Sequence, residues 1–139
     1  MQTILETFKW WTAQQFLRLR LPAKNGKILS GASMTTRVKK LLKELKEGLN
    51  RIYGNRLMGL YLYGSYARGD NRPGSDVDVM IVLSDYKDYM EELLRSGDLD
   101  SDLSLAYDVT VSRVIMKESQ WENSDTPLLR NIRKEGIAA

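Results

Sequence analysis

The chain has no cysteine and no histidine among its 139 residues. The first absence excludes disulfides, thiolate zinc sites and cysteine nucleophiles; the second excludes imidazole bases, histidine metal ligands and any Ser-His triad. Chemistry must therefore come from carboxylates, hydroxyls, Lys, Arg or a bound metal. No run approaches the roughly 20 consecutive apolar residues that a membrane span needs, and the opening segment is too broken by charge to hold a secretory core. The reading is a cytoplasmic protein. A body charge of one sign is also missing. The net charge is +3, but residues 1–33 carry Lys9, Arg18, Arg20, Lys24 and Lys27 against Glu6 alone, which leaves 16 basic and 17 acidic side chains for the rest. Nucleic-acid binders concentrate Lys and Arg on a folded face to neutralise phosphates. This body has no such excess, and nucleic acid is disfavoured as a partner.

What is present suits one domain. The sequence is 42% hydrophobic, and domains commonly run about 100 to 150 residues. From Thr35 the positions Val38, Leu41, Leu42, Leu45, Leu49, Ile52 and Tyr53 form a helical stripe, with Gly54 where a cap would fall. Leu57 to Tyr63 is a continuous apolar run, bounded by Asn55 and Gly64-Ser65, that suits a strand buried on both faces. Val77 to Leu83 reads as a second buried strand. Tyr86, Tyr89, Met90, Leu93 and Leu94 mark a helix that Gly97 is expected to end. Asp98 to Ala106 reads as loop or short helix. Tyr107 to Met116 is expected to be a third strand, with Asp108, Thr110 and Ser112 on one face. Asp125-Thr126-Pro127 then opens a final helix closed by Gly136. The order αββαβα argues for a small sheet flanked by helices in an α/β domain over residues 34–139. Residues 1–33 are a separate extension. Either Met34 is the biological start, or the segment with Trp10, Trp11 and Phe16 forms an amphipathic helix on the domain or a partner.

The informative stretch lies between the first two strands. Gly64-Ser65 leaves a buried strand, and a Gly there allows backbone N–H groups close approach to a phosphate, especially if a helix starts at Ser65. Ser65 adds a hydroxyl. Asp76 and Asp78, two apart at the start of a strand, project from one face. They repel unless a cation lies between them, and an oxygen site completed by water and phosphate suits Mg²⁺. Alone, each feature has a plainer reading. Gly-Ser is most often a turn, and acidic pairs at strand ends are commonly solvated. Asp78, however, sits inside an apolar strand between Val77 and Val79, where an unpaired charge is costly.

Gly-Ser, ten residues, then Asp-x-Asp between apolar strands resembles the DNA polymerase β-like nucleotidyltransferase superfamily. The fuller text Gly64-Ser65-Tyr66-Ala67-Arg68-Gly69, then Ser75-Asp76-Val77-Asp78, resembles its minimal nucleotidyltransferase branch, the MntA-like antitoxins paired with HEPN ribonuclease toxins. The resemblance spans residues 34–139. It implies a polymerase β-like α/β fold with a small mixed sheet, a nucleoside triphosphate substrate bound with Mg²⁺, and release of pyrophosphate. It implies that Gly64 and Ser65 cradle the β and γ phosphates and that Asp76 and Asp78 bind two metal ions. The family also uses a third carboxylate on a following strand, for which Asp108 is the candidate, as metal ligand or general base. Arg68 matches the motif and reads either as a phosphate partner or as a structural salt bridge; Arg72 carries less weight. Tyr63 and Tyr66 read as base-stacking groups or as packing. Lys39, Lys40, Lys43 and Lys46 read as the solvated face of the first helix.

The chain ends shortly after the third expected strand, without the helical substrate domain of the antibiotic- and RNA-modifying relatives. The expectation is an acceptor on a partner. By resemblance that partner is a HEPN toxin on a separate chain, whose tyrosine receives AMP from ATP. A binding antitoxin that covers its toxin without catalysis is the alternative.

Overall fold

A computed structural model describes residues 35–139; the readings placed on residues 1–34 lie outside it. Thr35 opens the first helix, α1 (Thr36–Tyr53), accepting from the Val38 N–H, and Gly54 caps its end. A single 3₁₀ turn leads into β1 (Leu57–Tyr63), and a short helix α2 (Gly64–Arg68) follows without a break. Then come β2 (Val77–Leu83), α3 (Tyr89–Tyr107), β3 (Val111–Lys117), α4 (Glu118–Asn123), α5 (Pro127–Glu135) and a two-residue β4 (Ile137–Ala138). The sheet is mixed, in the order β3-β2-β1-β4. β1 runs antiparallel to β2 and β4, and β2 runs parallel to β3 through α3 as crossover.

Alternation along the strands gives the sheet two different faces. Leu60 and Leu62 of β1, Val79 and Ile81 of β2 and Ile115 of β3 face one core, closed by the apolar stripe of α1. Tyr61, Met80 and Val82 face the other way, against Trp121 of α4 and Leu129 and Ile132 of α5. The Tyr61 and Trp121 rings lie 5.1 Å apart, and the Arg133 guanidinium stacks over Trp121 and donates to its carbonyl. Thr126 and Pro127 start α5 as their residue types require, Thr126 accepting from the Leu129 N–H.

Two elements depart from the sequence reading. Gly97 does not end a helix; α3 runs through it for 19 residues. The face of α3 that packs on the domain is largely polar, with Glu92, Ser96 and Asp100 buried, so apolar periodicity underreports it. Arg113 of β3 supplies the partner, forming an ion pair with Asp100 and donating to the Leu93 carbonyl. Arg56 and Arg95 hold Glu92 at 2.7 and 3.1 Å. The third strand consequently starts later than expected, at Val111 instead of Tyr107.

Candidate functional site

The site is built where β1 and β2 emerge side by side. Tyr63 ends β1 opposite Asp78, and Gly64 turns the chain straight into α2 at φ +73°. Among the described residues no side chain caps the start of α2, which leaves the N–H groups of its first turn available to an acceptor. Ser65 sits half-buried on that turn. Only glycine suits position 64. A β-carbon there would overlap Asp78 Oδ2 and stand 3.1 Å from its Cγ, because the Asp78 carboxylate lies directly against the glycine.

The connecting loop is set by short-range bonds. The Ser75 N–H donates to the Arg72 carbonyl at 2.9 Å, and the Arg72 N–H donates to Ser75 Oγ at 2.8 Å. With Pro73 second and Gly74 third at φ +87°, this is the turn that such a Pro-Gly pair favours. It delivers Asp76 to the mouth of β2, where the Val77 N–H donates to the Thr110 carbonyl at 2.8 Å. Asp76 is exposed and Asp78 half-buried. Burial, and then the negative charge of Asp76, push the Asp78 carboxyl above its usual range, with the Arg68 cation opposing them. Burial and the Asp78 charge likewise push the Tyr63 hydroxyl up. Among the described residues, no hydrogen bond or ion pair engages either carboxylate. Two acids on one face, one of them desolvated, make a donor set for a hard cation.

The structure therefore gathers Gly64, Ser65, Asp76 and Asp78. Arg68 stands at the margin, where its guanidinium donates to Asp70 and to Glu135 of α5, each at 3.2 Å. These bonds hold it firmly charged. Its structural role is thus visible, while its charge still reaches Asp78. Tyr66 is buried and packs in the core beneath α2, and Arg72 is exposed.

Asp108 does not join the group. It lies on no strand but caps the C-terminus of α3 in a left-handed conformation, φ 49° and ψ 52°, exposed to solvent. It lines a hollow of about 380 Å³ with Arg37, Tyr66, Ser75 and Thr110, in which neither Asp76 nor Asp78 takes part. Among the described residues no three acidic side chains cluster closely enough to hold a metal ion. What the structure corrects is the expected strand placement of Asp108, which lies at the end of α3 instead. The strand opens only at Val111, after Asp108 and Thr110, because α3 does not release the chain until Tyr107.

Comparison with known proteins gives a consistent family. Residues 39–138 match the model of a nucleotidyltransferase domain. Two proteins of Methanocaldococcus jannaschii, both named as protein adenylyltransferases, are similar. MJ0141 is 35% identical over 57% of this chain and 79% of its own length, and MJ0604 is 32% identical over 70% of this chain and 92% of its own. A crystal structure of a mutant toxin–antitoxin pair, MntA–HpeT, superposes with a TM-score of 0.50 at 22% identity, covering 72% of this chain and 69% of that one. That likeness is one of fold. Among the described residues, no helix is long and apolar enough to cross a membrane.

Proposed function

The chain belongs to the nucleotidyltransferase domain family, and from that premise we propose that it moves AMP from ATP onto a hydroxyl of a partner protein, a HEPN-type ribonuclease toxin that it thereby silences. A toxin tyrosine is the acceptor in this reading. The observation that carries the site assignment is the Asp78 carboxylate seated against Gly64 at the uncapped start of α2. It supports a reading in which the turn takes phosphate and the neighbouring acid takes a cation.

In this reading the N–H groups opening α2 and the Ser65 hydroxyl hold the terminal phosphates. A missing β-carbon at Gly64 lets them come close. Asp76 and Asp78 would hold Mg²⁺, which would offset triphosphate charge and stabilise the attacking and leaving oxygens. The acceptor oxygen attacks the α phosphorus in line; as that bond forms, the bond from the α phosphorus to the bridging oxygen breaks, pyrophosphate departs and the hydroxyl proton passes to water. Arg68 adds positive charge at the margin without leaving its carboxylate partners.

The test is transfer of label from α-labelled ATP to the cognate toxin in the presence of Mg²⁺. Asp76→Asn with Asp78→Asn should lower transfer by about a thousandfold or more; undiminished transfer would reject the assignment. A second reading, inhibition by binding alone, draws on the exposed apolar side chains of α3. Leu105 is 83% and Leu94 75% exposed, as on a helix that a protein partner covers. If the double Asn variant still silences the toxin in cells, binding is the better description.

A further inference from the structure

The register of β2 against β3 identifies what stands beside the Asp76–Asp78 pair. The two strands are parallel, with Val77 opposite Val111, Asp78 opposite Ser112 and Val79 opposite Arg113. Register partners in neighbouring strands point to the same face of a sheet. The face is fixed independently by the cores. Val77, Val79, Val111 and Ile115 belong to the α1 side, whereas Met80, Val82 and Met116 belong to the side of α4 and α5. Asp78 and Ser112 therefore both project on the second face, at the end that α4 and α5 leave half-open. Neighbouring strands run about 4.8 Å apart, so a side chain at 112 is the nearest that β3 can offer to the inner carboxylate. Asp108 is four residues earlier in the chain and off the strand.

Resting on the nucleotidyltransferase reading, we propose that position 112 is the third ligand position of the cation site and that Ser112 keeps the site at two carboxylates. The protein alone thus presents a charge of −2 to the cation. A hydroxyl coordinates a divalent cation more weakly than a carboxylate, and cation affinity rises with the number of charged ligands. The free protein holds Mg²⁺ or Mn²⁺ loosely, and the phosphates of the nucleotide complete the coordination. Cation and nucleotide consequently bind as one unit, and the site carries little metal between turnovers.

Direct Mn²⁺ titration of the nucleotide-free protein, read by the paramagnetic signal of free Mn²⁺, tests this without any activity. Ser112→Asp should bind Mn²⁺ at least about tenfold more tightly than the unmodified chain. Ser112→Asn, equal in size but uncharged, should give no such gain, and Asp108→Asn should leave binding unchanged. A gain in Ser112→Asp that vanishes when Asp78→Asn is added locates the new ligand beside Asp78. Ser112→Asp no tighter than Ser112→Asn would overturn the proposal. So would weaker Mn²⁺ binding in Asp108→Asn, a measurement that stands even if Ser112→Asp fails to fold. Because no nucleotide or toxin enters, these outcomes are separate from those of the transfer assay. Label transfer lost in the Asp78 variant with no Mn²⁺ gain at 112 sinks only this inference.

Discussion

The two faces of the sheet carry acids for opposite reasons. On the α1 and α3 side, Glu92 and Asp100 are buried and paired, Glu92 with Arg56 and Arg95, Asp100 with Arg113. On the other side, Asp76 and Asp78 sit together with no basic side chain among the described residues bonded to them. Asp100 ties the crossover helix to β3, and Glu92 ties it to the turn before β1. The Asp76–Asp78 pair stores repulsion that a cation would relieve. Burial acts on both sets, and the neighbours decide the sign. Burial pushes the Glu92 carboxyl up, yet Arg56 and Arg95 together hold it below its usual range. Asp78 has Asp76 as its near neighbour and ends above.

The sharpest way to break this contrast is to remove one partner from the structural side. Asp100→Ala leaves the half-buried Arg113 charged and without its carboxylate partner, and should cost up to about 3 kcal/mol in denaturant unfolding. Replacing both members, Asp100→Leu with Arg113→Met, should recover most of that loss, since a buried ion pair often equals an apolar pair in stability. A double variant as unstable as the single one would show that the hydrogen bond from Arg113 to the Leu93 carbonyl matters more than the charge pair.

On the functional side, Gly64→Ala should lower nucleotidyl transfer by about a hundredfold or more. The added β-carbon displaces the Asp78 carboxylate and strains a backbone at φ +73°. Unfolding of this variant must be measured beside it. Wild-type transfer would mean that Asp78 is not held against α2 in the active protein.

Acid titration should separate the faces by sign. Glu92, lowered in the fold, contributes stability that is present above its unfolded pKa and lost as pH falls through the folded value. Asp78, raised in the fold, does the reverse: the folded protein binds the proton more tightly, so stability falls as pH climbs from the unfolded pKa through the raised one. Asp78→Asn should therefore raise Tm slightly at neutral pH without metal, and the gain should shrink in acid. Glu92→Gln should lower Tm at neutral pH and matter less in acid. A Tm that falls at neutral pH in Asp78→Asn would mean that the carboxylate is structurally paired. The smallest effect is expected at Asp108→Asn. Asn accepts the left-handed backbone, and losing an anion at a helix C-terminus is mildly favourable. Transfer should stay within about twofold, as for a surface substitution with no role in the reaction.

The stripe of α1, the two apolar strands and the caps at Gly54 and Thr126 were legible in the sequence because each depends on neighbours a few residues away. The same holds for Gly64-Ser65 and Asp76-x-Asp78: strand alternation alone puts the two acids on one face, and the turn at Arg72–Ser75 closes through its own Pro and Gly. Less was legible beyond Gly97. Apolar periodicity marks a helix whose partner is apolar, and α3 answers to Arg113, some twenty positions on. Its true length moved the start of β3, and with it the identity of the residue beside Asp78. By itself, the sequence determined the Gly64-Ser65 turn and the two carboxylates at Asp76 and Asp78. Only the tertiary structure decided that Ser112 stands opposite Asp78 and that Asp108 lies off the strand, because strand register is a relation between segments that no local pattern encodes.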